Sequence, residues 1–218
     1  MSSKPVPEIL RPFVAPSLLV FVMALLHVLG LVGMIGSSDT WGNIPRSFEH
    51  PWGFLLFHLR HGDWAHWFAN AVPLILLSGL ARMMVPKATL RTWLLLPVVS
   101  GALLWIWGRP GAHIGASALT YGWFFFLLAV AIARRDRATL AGMLVAMMLF
   151  GSMVWVFMAP AGVSWEGHVA GAIAGVLGAL LWRSADPMPK PIFLDEPEDE
   201  VADLSPYATH RPKEPWEL

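Results

Sequence analysis

The sequence predicts an all-α membrane protein built as a bundle of six transmembrane helices. Composition is the first reason: of 218 residues 56% are hydrophobic and 14% charged, with a mean hydropathy of +0.57. Soluble domains lie nearer about 45–50% apolar and about 25% charged. The spacing of charge is the second, because it leaves long stretches without Asp, Glu, Lys or Arg. The third is the 12 Trp, which suit aromatic belts at the two membrane interfaces.

A hydrocarbon core about 30 Å thick needs roughly 20 apolar helical residues, with ~17 a practical minimum. The charge-free runs are 17–36, 64–81, 92–108, 110–133, 138–165 and 167–182. Pro110-Gly111 and Pro160-Ala161-Gly162 are turn signals inside two of them. Helices are therefore expected near 17–36, 64–83, 90–107, 116–133, 138–158 and 166–183, the last being the least distinct by hydropathy. The first run is as long as a full span and lacks a small-residue cleavage site after a short apolar region, so a retained helix is expected rather than a signal peptide.

Lys and Arg placement sets the direction. Lys4, Arg11, Arg82, Lys87, Arg91, Arg134, Arg135, Arg137, Arg183, Lys190, Arg211 and Lys213 fall on one side, 12 of the 15 cations. Only Arg46, Arg60 and Arg109 fall on the other. Both termini are expected in the cytoplasm, which an even number of spans requires. The chain then divides into a cytoplasmic N-terminal segment (1–16), the helical core (17–183) and a tail (184–218). The tail's 35 residues hold seven prolines and nine acidic residues, a composition that buries no core and is expected to be disordered.

Composition also excludes classes. With 15 Lys+Arg against 15 Asp+Glu and pI ≈ 7.1, a basic nucleic-acid binder is ruled out. The absence of Cys rules out a disulfide scaffold, a thiol nucleophile and Cys-ligated zinc.

Polar side chains inside spans are costly and point to function. In the second helix His66 and Asn70 are four apart and share a face, with His61 five residues before His66 at or above the interface. Interhelical hydrogen bonding and a functional role both suit the pair. The fourth helix opens His113-Ile114-Gly115-Ala116-Ser117-Ala118, placing Ser117 near a helix N-terminus with its free backbone N–H groups. A capping or small-residue packing role is the alternative. In the sixth, Gly171 and Gly175 form G-x-x-x-G, a pattern for close helix contact, and His168 shares their face. A lone His there is otherwise a packing residue.

Taken together these residues complement one another. A Ser hydroxyl needs a base to accept its proton, and His is the usual one. Acyl transfer needs donors at the oxyanion, for which His66, Asn70 and the Ser117 N–H are placed. The expected topology sets all of them near the non-cytoplasmic ends of their helices. A Ser117–His168 dyad without an obvious third member is expected; Asp63 and Glu166 both lie at the interface, and Glu166 alone is a minor candidate for an orienting carboxylate. Zinc bound by His61, His66 and His168 is disfavoured by the lack of H-E-x-x-H and of a convergent carboxylate, so neither metal nor other cofactor is expected.

His61-x4-His66-x3-Asn70, Gly115-Ala116-Ser117 with Tyr121 four residues on, and His168-x2-Gly171-x3-Gly175 together resemble the motifs of the rhomboid family of intramembrane serine proteases, over about 17–182. The resemblance implies a six-helix rhomboid-like fold, with Ser117 as nucleophile, His168 as base, and His66 and Asn70 lining the oxyanion hole. It implies that Tyr121 packs on the catalytic His, with His61, Gly115, Gly171 and Gly175 in support. Substrates would be transmembrane proteins cut in or near a membrane segment, in the bilayer of a bacterial inner membrane. It also implies that the loop at 37–63 lies partly in the outer leaflet and that the fifth helix gates lateral access. Two positions depart from the family: Ala118 stands where Gly is usual, and the first loop has Trp52-Gly53 near the place of a Trp-Arg pair. A non-catalytic rhomboid-like protein that binds client helices is the alternative, favoured only by Ala118. A small transporter is disfavoured by the lack of an internal repeat.

Overall fold

Caps and prolines set the helix boundaries more closely than the edges of the charge-free runs do. The structure, a computed structural model, describes residues 6–155, 158 and 162–188; the expected tail beyond Met188 lies outside them. Helix α1 runs Arg11–Leu31, earlier at both ends than the 17–36 expected. Pro12 in its first turn is pre-set for a helix start, one terminal Arg is tolerated there, and Gly33 at φ +73° ends it.

Helix α2, Trp64–Met84, begins at Asp63, whose carboxylate accepts the His66 N–H at 2.7 Å. Helix α3, Pro86–Trp107, starts on a proline. Helix α4, Ser117–Arg134, closes on Arg135 in the left-handed conformation, φ 57°. Asp136 caps α5, Arg137–Phe150, by accepting the Thr139 N–H at 3.0 Å. Chain 151–155 continues α5 as a 3-10 turn, so the α-helix expected to reach 158 ends at Phe150, and 156–157 fall outside the described residues. Helix α6, Trp165–Trp182, starts at Ser164, whose hydroxyl accepts the Gly167 N–H at 3.2 Å.

Five helical segments among the described residues are long and apolar enough to cross a membrane: Glu8–Leu31, Trp64–Met84, Pro86–Trp107, Ser117–Arg134 and Arg137–Trp155. Helix α6 is as long as α4 but is not one of these five, since it opens Trp-Glu-Gly-His and seven of its other 14 residues are glycine or alanine in place of larger apolar ones. It is instead as enclosed as α4, with eleven of 18 residues buried in each. A helix shielded by its neighbours has little need of a lipophilic surface.

Helix α6 packs mainly on α4 and α3, α1 lies on α2, and α5 lies on α4 and α2. Trp123, Phe124, Phe126 and Leu127 of α4 fill the interior with Leu74 of α2 and Leu96 of α3. In lipid the helices gain by dispersion and close fit rather than by leaving water. At one end of the bundle Asp186 accepts the Lys87 and Ala88 N–H groups, both at 2.9 Å. Arg134 donates to the carbonyls of Arg183, Asp186 and Pro187 and to the Asp136 carboxylate. The first residues of the expected tail, 184–188, are thereby tied to the core, because a buried Asp and a buried Arg find partners there.

The loop between α1 and α2 is fastened at several points without a Trp-Arg pair. Asn43 and His113 exchange two backbone hydrogen bonds, at 2.9 and 3.0 Å, and Asn43 Nδ2 donates to Gly101 O at 2.9 Å. Trp52 Nε1 donates to Thr40 O at 2.8 Å. Arg60 donates to Leu26 O of α1 at 2.7 Å.

Candidate active site

Near the start of α2, α4 and α6 lies a cavity of about 880 Å³. Ser117, His66, Asn70, Tyr121 and His168 all line it, so three helices far apart in sequence bring their polar residues to one space. His61, Gly171 and Gly175 lie outside its lining.

Ser117 sits at the first position of α4. Its carbonyl accepts from Thr120 Oγ1 at 2.9 Å, and its hydroxyl makes no hydrogen bond among the described residues. The approach to it is rigid. Gly115 has φ +113° and donates its N–H to Phe57 O at 2.9 Å. A Cβ there would stand 2.6 Å from His66 Nε2 and 3.7 Å from Asn70 Nδ2. Glycine is required for both the backbone conformation and the space, and the two donors lie against the backbone just before Ser117.

The His66 position is set by the Asp63 cap, and Asn70 Nδ2 gives one hydrogen to His66 O at 3.0 Å, leaving its second for the cavity. Pro73, one turn on and also on the cavity wall, withholds the helical N–H from the carbonyl of Ala69. His61 acts from behind. Its Nε2 accepts the Ala116 N–H at 3.3 Å, and its ring meets that of His66 edge-on at 5.0 Å. Burial, with the neighbouring His66, pushes His61 down to about 3, so it stays neutral and keeps the lone pair this bond needs.

His168 is buried and lies in α6 face to face with Tyr121 of α4, with ring centroids 4.1 Å apart and planes within 9°. Its Nδ1 is enclosed without a partner among the described residues, which leaves Nε2 to meet the cavity. The backbones of α4 and α6 touch beneath this pair. A Cβ on Gly171 would be 2.0 Å from Ala118 O, and one on Gly175 would be 2.0 Å from Gly122 O. The G-x-x-x-G of α6 thus fits a small-residue pair on α4. The Ala118 methyl packs with Phe57, Leu104 and Ala170 and is absent from the cavity wall, so it does not crowd Ser117.

Glu166 does not orient His168. It pairs instead with Arg109, at 3.4 Å, and its other oxygen is buried unpartnered. Three further residues take parts here that their sequence positions were not read for. Asp63 as a helix cap was signalled by its place three before His66. His113 and Ser164, bonded to each other at 2.6 Å, carried no such signal, since their meeting depends on the fold. No group of three or more His, Asp or Glu among the described residues is arranged to hold a metal ion.

The chain is similar to known proteins over most of its length. The Rhomboid domain family model matches residues 49–184. Uncharacterized proteins of Mycobacterium bovis and Mycobacterium tuberculosis are each 34% identical over 183 residues, covering 76% of this chain and 73% of theirs. One from Mycobacterium leprae is 31% identical over 176 residues, covering 73% of this chain and 68% of its own. With five apolar helices, a matching domain over most of its length and relatives of this similarity, the chain is an integral membrane protein that belongs to the rhomboid family.

Proposed function

We propose that this protein is an intramembrane serine endopeptidase that cuts membrane-protein substrates in or beside their transmembrane segments, using Ser117 and His168. The observation that carries the reading is the convergence of Ser117, His168, His66 and Asn70, from three helices, on one cavity. Neutral His168 takes the Ser117 proton on Nε2 as Oγ attacks the scissile carbonyl carbon. The oxyanion is held by the Ser117 N–H, His66 and Asn70. His168 then gives the proton to the leaving amine, and water in the cavity hydrolyses the acyl-enzyme by the same base. The unmade Ser117–His168 hydrogen bond suits a resting site, where such contacts tighten only with substrate in place. In this reading α6 is the sixth span, shielded by α3 and α4. Both termini face the cytoplasm and the membrane is a bacterial inner membrane, in keeping with the Lys and Arg bias.

Fluorophosphonate labelling of the detergent-purified protein tests the reading without knowledge of the substrate. Wild type is expected to label, and Ser117→Ala and His168→Ala to fall by roughly 10³-fold or more, as members of such units do. A folded wild type that does not label would favour a client-binding protein.

A further inference from the structure

Resting on the Ser117–His168 reading, we infer that His113 is a positioning residue: with Ser164 it forms a clasp that fixes the separation of the nucleophile and the base. His113 lies four residues before Ser117, and Ser164 lies four residues before His168. The two side chains meet at 2.6 Å, Nδ1 to Oγ, so the dyad is bridged one short step behind itself on both strands of chain.

The hydrogen bonds around the clasp have one consistent direction. Gly167 N–H donates to Ser164 Oγ at 3.2 Å. Ser164 Oγ, having accepted, donates its own hydrogen to His113 Nδ1. His113 Nε2–H then donates to Arg109 O at 3.0 Å. A neutral His113 with its proton on Nε2 satisfies every group. Each arm from clasp to dyad is also stiff. On the Ser117 side, His113 is bridged to Asn43, Gly115 to Phe57 and Ala116 to His61. On the His168 side, the intervening residues are the first turn of α6, with the His168 N–H bonded to Ser164 O at 3.3 Å. A second tie runs parallel, since Arg109 pairs with Glu166 and donates to Val163 O at 2.6 Å. With both arms rigid, a change in the His113–Ser164 distance is passed on to the Ser117–His168 distance. A misplacement of about 1 Å costs on the order of 10²-fold in rate.

The test measures fluorophosphonate labelling of the full chain in detergent over a range of probe concentration, together with thermal unfolding. His113→Phe keeps a ring of similar size without the hydrogen bonds, and Ser164→Ala removes the other half. Each is expected to lower the saturating labelling rate about tenfold while leaving the half-saturating concentration within about twofold, because alignment and not probe binding is lost. The double variant is expected to be no slower than the slower single one, since the two act as one unit. Ser164→Thr, which keeps the hydroxyl, is expected to retain the wild-type rate within about threefold. A role in stability alone would lower the unfolding temperature and leave the saturating rate unchanged, and that result overturns the inference. So do effects that multiply to about 100-fold in the double variant. If His113→Phe does not fold, Ser164→Ala against Ser164→Thr decides by the same rates. An unlabelled wild type sinks the dyad reading itself, whereas a labelled wild type with indifferent variants sinks only the clasp.

Discussion

Helix α4 has α6 on one side and α5 on another, and the two neighbours are held to it differently. Against α6 the backbones meet at Ala118–Gly171 and Gly122–Gly175, close enough that a single Cβ on either α6 glycine would overlap a carbonyl oxygen. Helix α5 is joined to α4 through the Asp136 cap and the Arg134–Asp136 ion pair at 2.9 Å, and its Gly142 abuts Met84 of α2. Its outer surface, including Leu144, Met148 and Leu149, is exposed. The difference shows where accuracy is needed. Ser117 and His168 lie on the two helices whose relative position backbone contact leaves no freedom to change, because a glycine seam has no rotamers with which to adjust. Side-chain and end contacts hold α5, the kind that open locally at lower cost. A lateral gate, which the rhomboid resemblance implies for the fifth helix, would draw on that weaker attachment.

The strongest way to break this contrast is Gly171→Leu. A side chain there meets the Ala118 backbone, so the helices must separate. The expected loss is at least the roughly 1–3 kcal/mol of an overpacked core, with labelling of Ser117 abolished, measured by thermal unfolding and fluorophosphonate reactivity. Retained labelling in a folded variant would mean that the seam does not set the dyad.

A smaller effect is expected at the α5 junction. Asp136→Asn keeps a capping side chain but removes the charge facing Arg134, and is expected to cost about 1 kcal/mol with labelling retained. Burial raises the Asp136 carboxyl, but the Thr139 N–H and Arg134 outweigh it and hold the group below the ordinary carboxylate range. The folded state then binds this proton less readily than the unfolded chain. The Asp136 contribution is complete above the unfolded value of about 3.9 and is lost as pH falls through the lowered one. Wild type should therefore lose more stability than Asp136→Asn on acidification below about pH 4. Parallel acid limbs in the two proteins would show that this junction carries no net charge interaction.

The smallest effect belongs on the outer face of α5, where Met148 is 85% exposed. Met148→Ala should change stability by no more than about 0.5 kcal/mol and leave labelling unaltered. A large change in either would reveal a contact that the isolated chain does not show.

Much of the site was legible because its chemistry is local. His66 and Asn70 share a face at a spacing of four, and Gly171 with Gly175 is a contact pattern at that same spacing. The helices were legible as charge-free runs, with errors where ends depend on caps: α1 extends back to Arg11 because Pro12 starts it, and α5 gives way to a 3-10 turn after Phe150. Glu166 could be read as a candidate orienter from its place two residues before His168. Only the fold shows that Arg109, distant in sequence, takes it instead.

What the sequence determined by itself, then, is whatever follows from residues within a turn or two of one another. That covers a helical membrane chain, the polar residues in its spans, the small-residue stripe and membership-bearing motifs in order. Tertiary structure decided what those residues meet: Ala118 turned toward Phe57 and Leu104, Tyr121 stacked on His168, and His113 reaching Ser164 across 51 positions. The division has a physical cause. Helical periodicity fixes directions within one helix over a few residues, while the partner across an interface depends on how whole helices settle against each other. Here that settlement is made by glycines whose only statement in the sequence is that something comes close.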